Sequence, residues 1–192
     1  MNRRLSSSDG TTLLTLARRA ITDRLLGDGS LDRAIEDAKL TAPLAAPRAA
    51  FVTLKSATAS GTETLRGCIG TLDAETPLYR NVILAAPQAA FEDPRFPALE
   101  VDELADIRIE ISALTTPRPL GDIADLELGR DGVQLNHGER RALFLPQVGA
   151  ERDWTVEQFL ENLASKAGLP DDAWRQSRLS AFQVEAFREP RD

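Results

Sequence analysis

The sequence predicts an α+β fold in which helices pack on a mixed or antiparallel sheet. Strand-like segments follow one another more often than they alternate with helices, which disfavours a parallel arrangement built from strand–helix–strand units. The chain has 192 residues, of which 42% are hydrophobic, enough for about one domain with its own core. We therefore predict one domain over residues 1–192, with its motif-bearing region at 49–187.

The first part of the chain predicts two helices. Apolar residues recur at helical spacing through "LLTLARRAITDRLL", with Ser8 or Asp9 as the expected cap and Gly27 as the stop. The segment "LDRAIEDAK" predicts a short second helix, and the Pro/Ala-rich "TAPLAAPRAA" then predicts a connector.

A β-hairpin and a helix come next. The segments "AAFVTLKS" and "TLRGCIGTL" predict two strands that pair across the loop "ATASGTE". The segment "ETPLYRNVILAA" predicts a helix with Thr76 as its N-cap and Pro77 at its first position. Proline lacks an N–H and clashes with the preceding turn, so we expect a kink or a break at Pro87.

The second half predicts a strand, a hairpin, a helix and a last strand. In "DIRIEISAL" every second residue is isoleucine, so one face should be core and the other should meet water or a cleft. The segment "DGVQLNHGERRALFLP" predicts two strands joined near 136–138. Thr155 and Gln158 predict a helix that begins with a capping box and ends at Gly168, and "LSAFQVEAF" predicts one closing strand.

Composition excludes several classes of protein. The net charge of −7 disfavours broad nucleic-acid binding, although a small basic patch stays open. A single cysteine rules out an intrachain disulfide, so we expect a cytoplasmic protein. No apolar run approaches the roughly 20 residues that a membrane-spanning helix needs, so we expect no membrane span.

The stretch "TLRGCIGTL" contains the lone cysteine and the strongest candidate site. In an extended strand Arg66 and Cys68 share one face, with Leu65 and Ile69 on the other, and a guanidinium near a thiol favours the nucleophilic thiolate. Gly67 and Gly70 remove side-chain bulk, so a ligand or another backbone can come close. The alternative is structural, because a free cysteine often packs as a small hydrophobe.

Other polar residues are candidates for binding. Asp93 and Arg95 flank a proline in "FEDPRFP", where they could form an ion pair in a rigid turn, with Phe96 anchored in the core, or Arg95 could bind an anion. Glu110 could act as a base if its strand face meets Cys68, and Gln147 could line a cleft or fix a loop. A dyad of Cys68 with His137, the only histidine, is a weaker alternative because "LNHGE" predicts a solvated hairpin tip.

No cofactor or metal site is predicted. One cysteine and one histidine cannot supply a structural zinc site. The chain also lacks a Walker A loop, G-x-G-x-x-G and G-x-S-x-G.

Taken together, the motifs resemble those of the AMMECR-type domain family. The segments "FVTL", "LRGCIG", "DPRFP", "IEIS", "LPQV" and "KAGLP" follow in the family's order, and the chain looks most like the prokaryotic branch, AmmeMemoRadiSam system protein A. The resemblance implies an α+β fold with a larger and a smaller lobe and a site at 66–70 with Asp93 and Arg95 nearby. It also implies a Memo-type partner and a radical SAM partner, and a role in modifying an RNA base or nucleotide.

Two hypotheses follow. In the first the protein is an enzyme that uses Cys68 as nucleophile or thiolate acid/base, with Arg66 favouring the thiolate and holding an anionic substrate group. In the second it is a non-catalytic binding or scaffold module for the two partners.

Overall fold

The computed structural model describes residues 4–57, 62–72 and 74–190 and confirms the α+β class. The helices are α1 (Ser7–Leu26), α2 (Ser30–Asp37), α3 (Ala42–Ala45), α4 (Leu78–Phe91), α5 (Pro146–Glu151) and α6 (Val156–Lys166). The strands are β1 (Ala50–Ala57), β2 (Glu63–Thr71), β3 (Ile107–Leu114), β4 (Arg118–Pro119), β5 (Gly132–His137), β6 (Arg140–Phe144), β7 (Arg178–Phe182) and β8 (Val184–Arg188). Short 3₁₀ helices lie at Asp102–Ala105, Ile123–Asp125 and Asp171–Gln176.

The chain divides into a larger and a smaller compact unit. The first unit comprises residues 1–113 and 185–192, and the second comprises residues 114–184. The first contains a four-stranded sheet in the order β2-β1-β3-β8, and the second a four-stranded sheet in the order β4-β7-β5-β6. None of the helices within the described residues is both long and apolar enough to cross a membrane.

The core of the first unit lies between one face of its sheet and the helices α1 and α4. The alternating isoleucines of β3 are buried, as predicted, and Val52 and Leu54 of β1 are fully buried with them. Glu110 and Ser112, on the other face of β3, are also buried, so this face does not lie open to water. Glu110 lines a small cleft with Lys55 and Arg188, which agrees with the alternative that this face meets a cleft.

The helix ends in the first unit differ slightly from prediction. Ser6, rather than Ser8 or Asp9, caps α1, because Asp9 occupies the third helical position and completes a capping box with Ser6. Gly27 ends α1 in the left-handed conformation, as predicted, with φ of 64°.

The helix α4 begins one residue later than predicted and continues through its proline. Pro77 takes the N-cap position that was predicted for Thr76. Of the predicted kink or break at Pro87, the break is wrong, since α4 runs to Phe91, and the kink stays a prediction. Alanines 85, 86, 89 and 90 are buried in the core around this point, and their packing holds the helix together.

The second unit is built from a hairpin and a capped helix. The strands β5 and β6 pair as predicted across a tight turn at Gly138, whose φ is 59°. The helix α6 has the predicted capping box of Thr155 and Gln158. Its apolar face shares a core with residues of β5 and β6, with Phe159 fully buried.

Two predictions for the second half need correction. The single closing strand is two strands, because the chain leaves β7 at Gln183 and enters β8 of the other sheet. The alternative that Gln147 of "LPQV" fixes a loop is wrong, because this segment begins α5, with Pro146 in its first turn. The hairpin loop "ATASGTE" falls largely on residues 58–61, which lie outside the described residues.

Candidate functional site

The site is organised by the β1–β2 hairpin, which contains a β-bulge. The register passes from Leu54 opposite Gly67 to Lys55 opposite Leu65, which leaves Arg66 as an extra residue without a cross-strand partner. A bulge of this kind interrupts the two-residue alternation of side chains. The prediction that Arg66 and Cys68 share one face of β2 therefore no longer holds. The register places Leu65, instead of Arg66, on the same face as Cys68.

Cys68 lies on β2 and is half-buried. It is directly opposite Thr53, whose hydroxyl donates to the Cys68 Sγ over 3.3 Å. Its main-chain N–H, which points away from β1, donates to Asp93 Oδ2 over 2.8 Å. A donor directed at the sulfur stabilises negative charge there, while the bond to Asp93 fixes the backbone that carries the thiol.

Asp93 connects Cys68 to Arg95. The carboxylate of Asp93 is buried, and it accepts hydrogen bonds from the Nε, NH2 and main-chain N of Arg95 at 2.7–3.1 Å. These bonds, that of the guanidinium first, hold the pKa of Asp93 well below its ordinary value, and they raise the pKa of Arg95. The expected turn with a local ion pair is thus confirmed, with an added link to Cys68.

The side chain of Arg95 is 55% exposed. Its guanidinium lies over the ring of Phe96, which is half-buried rather than anchored in the core as expected. Asp93 accepts from the Nε and NH2 groups of this guanidinium, and NH1 takes part in neither of these two bonds.

Arg66 has a different role from the one predicted. Its buried guanidinium donates to Glu103 through Nε and NH2, at 2.6 and 2.9 Å, and to the carbonyl oxygens of Pro97 and Ala98. The hydrogen bonds to Glu103 raise the pKa of Arg66 and lower that of Glu103. Within the ranges that the structure covers, no hydrogen bond joins Arg66 to Cys68.

Both glycines around Cys68 are required by packing within the chain. A Cβ on Gly67 would lie 2.1 Å from the carbonyl oxygen of Ala89 in α4, so the glycine allows β2 to approach that helix. A Cβ on Gly70 would lie 2.4 Å from the ring of Phe51, its cross-strand partner. The close approach of another backbone, one of the two predicted roles of these glycines, is confirmed at Gly67, and the approach of a ligand stays a prediction.

Glu110 lies in the same row across the sheet as Cys68. Thr53 pairs with Cys68 on one side and with Glu110 on the other. Neighbouring strands are about 4.8 Å apart, so the Cα atoms of Cys68 and Glu110 lie about 10 Å apart. Lys55 and Arg188 form ion pairs with the buried Glu110 carboxylate at 3.1 and 3.0 Å. Two cations thus balance the charge of the residue that was predicted as a base.

The other predicted residues lie in the second unit. Gln147 lies in the first turn of α5 and is half-buried. His137, expected to be solvated at a hairpin tip, is half-buried at the end of β5, where its Nδ1 lies 3.1 Å from Ser177 Oγ. Among the residues with described positions, no group of three or more His, Cys, Asp or Glu side chains is arranged to hold a metal ion.

Sequence reasoning missed Thr53 and Glu103. Thr53 was visible only as one residue of the predicted strand "FVTL", and its position opposite Cys68 depends on a register that the bulge shifts. Glu103 lies in an unpredicted 3₁₀ helix, 37 residues from Arg66. The resulting arrangement is a thiol supported by a hydroxyl donor, with an exposed guanidinium held near it through Asp93.

Comparison with known proteins agrees with the motifs. The AMMECR1 family model matches residues 14–187. A Methanothermobacter thermautotrophicus protein is 40% identical over 193 residues, covering 96% of each chain, and one from Thermofilum pendens is 38% identical over 195 residues, covering 95% of this chain and 90% of its own. The crystal structure of an uncharacterized protein from Pyrococcus horikoshii superposes with a TM-score of 0.79 at 37% identity, covering 94% of this chain and 91% of that one.

Proposed function

The chain belongs to the AMMECR1 family, and from the surroundings of its cysteine we propose that it is an enzyme with Cys68 as nucleophile. The observation on which the proposal depends is that the half-buried Cys68 is held by hydrogen bonds on two sides. Thr53 donates to the sulfur, and the Asp93–Arg95 pair fixes the main chain of Cys68. A nucleophilic thiol needs this combination of access, stabilised charge and fixed position.

The proposed chemistry is attack of sulfur on an electrophilic carbon. The thiol proton passes to solvent, the S–C bond forms, and the bond from that carbon to its leaving group breaks with the electron pair going to the leaving group. Arg95 holds an anionic group of the substrate, such as the phosphate of a nucleotide. In this proposal Arg66 positions β2, and the substrate-binding roles of Gly67, Gly70, Glu110 and Gln147 stay predictions.

Alkylation of the full-length protein tests the roles of Cys68 and Thr53, and it does not require a known substrate. We expect iodoacetamide at pH 7 to modify Cys68 faster than it modifies glutathione, which serves as the free-thiol reference. Thr53→Val removes the hydroxyl donor and should slow the reaction several-fold. A rate no faster than that of glutathione would end the case for a nucleophile.

Charge-selective reagents test Arg95. Iodoacetate is an anion and iodoacetamide is neutral. Arg95 should therefore raise the rate at which iodoacetate alkylates Cys68 relative to the rate with iodoacetamide, and Arg95→Gln should lower this ratio. Arg80→Gln is the matched control, because it removes an exposed arginine of the same unit. A ratio that falls equally in both variants would assign the effect to overall charge.

We further propose, from the family resemblance, a cytoplasmic role with a Memo-type partner and a radical SAM partner in modifying an RNA base or nucleotide, with residues 1–192 acting as one domain. The lone cysteine supports the cytoplasm. Co-purification of the tagged protein with the two partners tests the association, and analysis of RNA nucleosides from cells with and without the gene tests the modification.

The second candidate is a binding or scaffold module for the same partners. It is favoured by the structural roles of the motif residues. Arg66 forms an ion pair with Glu103, and Gly67 and Gly70 are required by close packing within the chain. In this case Cys68→Ser should retain both partner binding and cellular function. The enzyme proposal expects partner binding to persist and function to be lost.

A further inference from the structure

The second unit contains a basic hollow at one end of its sheet. Its volume is about 600 Å³, and it is lined by Asn136, His137, Gly138, Arg141, Gln176 and Arg178. All six belong to the second unit, and none is acidic. This is the local basic patch that the overall charge of −7 left open.

Strand register aligns the two arginines of this hollow. Asn136 on β5 pairs with Arg141 on β6 and with Arg178 on β7, so the three residues form one row on one face of the sheet. The two arginine Cα atoms are therefore about 10 Å apart, with Asn136 between them. Both arginines are exposed, and within the described part of the chain no ion pair joins either to a carboxylate.

The hydrogen bonds around the hollow leave donors available to a ligand. The Asn136 Oδ1 accepts from Gln134 over 3.3 Å, which leaves the Asn136 NH₂ group to donate. The Ser177 hydroxyl donates its one proton to the Ala173 carbonyl over 2.7 Å, so it must accept from His137 Nδ1–H. That bond fixes the His137 ring beside the arginines.

We propose that this hollow binds the phosphate group of a small phosphate monoester. A phosphate monoester carries nearly two negative charges at neutral pH and three acceptor oxygens, and so can engage several donors. Arg141 and Arg178 supply guanidinium forks, Asn136 supplies amide N–H groups, and the His137 ring closes the hollow. The inference rests on residues 134–178 alone and is independent of the role of Cys68.

Calorimetric titration of the full-length protein with glycerol 3-phosphate tests the proposal. We expect saturable binding, no binding of glycerol, and an affinity at least about tenfold lower in the double variant Arg141→Gln/Arg178→Gln, since that variant removes both guanidinium groups that would bind the phosphate. Arg152→Gln, an exposed arginine of the same unit outside the hollow, should leave affinity within about twofold, because its charge is solvent-screened.

Three results would overturn the proposal. They are the absence of saturable binding, an equal loss of affinity in Arg152→Gln, and tight binding of an oligonucleotide with none of the monoester. Circular dichroism of each variant shows whether the fold is retained. Inorganic phosphate serves as a second probe, and equal affinity for it would also overturn the proposal, because it would assign the site to the free ion.

Discussion

The charge of Asp93 stabilises the fold around Cys68. Its buried carboxylate pairs with Arg95 and accepts the Cys68 N–H, and these bonds lower its pKa. A carboxyl group with a lower pKa in the folded state adds stability above its unfolded pKa of about 3.9, and this stability is lost as the pH falls through the folded value.

We therefore expect Asp93→Asn to lower the free energy of unfolding at pH 7 by about 1–3 kcal/mol. The difference from the wild type should narrow below about pH 4, because the Asp93 carboxyl of the unfolded wild-type chain then begins to bind a proton while the folded one stays ionised. Urea denaturation at pH 7 and pH 3 measures both values. The control is Glu92→Gln, because the exposed ion pair of Glu92 with Arg24 should contribute less than about 1 kcal/mol. If Asp93→Asn lowered the free energy of unfolding equally at both pH values, the link between the Asp93 charge and stability would be contradicted.

Arg66 shows why the site could be predicted only in part. Local residue patterns identified Cys68, Asp93 and Arg95, and the family motifs agreed; the structure joins the three residues through the Asp93 carboxylate. The side-by-side placement of Arg66 and Cys68 assumed unbroken alternation along β2, and the bulge opposite Lys55 removes that assumption. A bulge arises from pairing between two strands, so β2 alone has no signal for it.

Variants of the Arg66–Glu103 ion pair show whether Arg66 stabilises the fold or acts on the charge of Cys68. We expect Arg66→Gln to lower stability by about 2–3 kcal/mol, less than for a fully buried ion pair because Glu103 is one-third exposed. The same variant should leave the alkylation rate of Cys68 within about twofold. Glu103→Gln should match its stability loss, and a large fall in alkylation in Arg66→Gln alone would restore the predicted role beside the thiol.

At the scale of elements, local patterns predicted most helices and strands but not where pairing changes. Thr155 and Gln158 were enough to locate the start of α6, because a capping box is a local signal. The closing segment "LSAFQVEAF" has one continuous strand pattern, yet Gln183 separates β7 from β8. Which sheet a strand joins depends on distant partners, which periodicity does not encode.

The helix α4 shows tertiary packing overriding a local signal. A proline in a helix interior costs about 3 kcal/mol relative to alanine, partly offset by the 0.4–1 kcal/mol or so that proline removes from unfolded-state entropy. We expect Pro87→Ala to stabilise the protein by about 1–2 kcal/mol, since position 87 lies inside a continuous helix. Gln88→Ala, at an exposed position of the same helix, should change stability by less than about 0.5 kcal/mol.

Thermal denaturation of both variants tests this expectation. The free energy of unfolding should rise in Pro87→Ala and stay within error in Gln88→Ala. A loss of stability in Pro87→Ala would show that the ring of Pro87 packs well enough to outweigh the missing hydrogen bond.

At the scale of the whole molecule, the chain builds two separate cores. One is centred on α1, α4 and the first sheet, and the other on α6 and the second sheet. The larger and smaller lobes were predicted from the family resemblance and are confirmed. Composition and length could not reveal them, because 192 residues suit one domain or two small ones equally well.

Because each unit has its own core, we expect a cavity in one core to destabilise that unit first. Phe159 is fully buried in the second unit, and Phe159→Ala should cost that unit about 3–5 kcal/mol. Amide hydrogen exchange of the full-length variant should then show faster exchange throughout β5, β6, β7 and α6, with α1, α4 and β3 still protected. Leu13→Ala, in the core of the first unit, is the reciprocal control and should reverse the pattern at a cost of about 2–5 kcal/mol. Equal loss of protection in all seven elements for either variant would mean that the chain unfolds as one cooperative body.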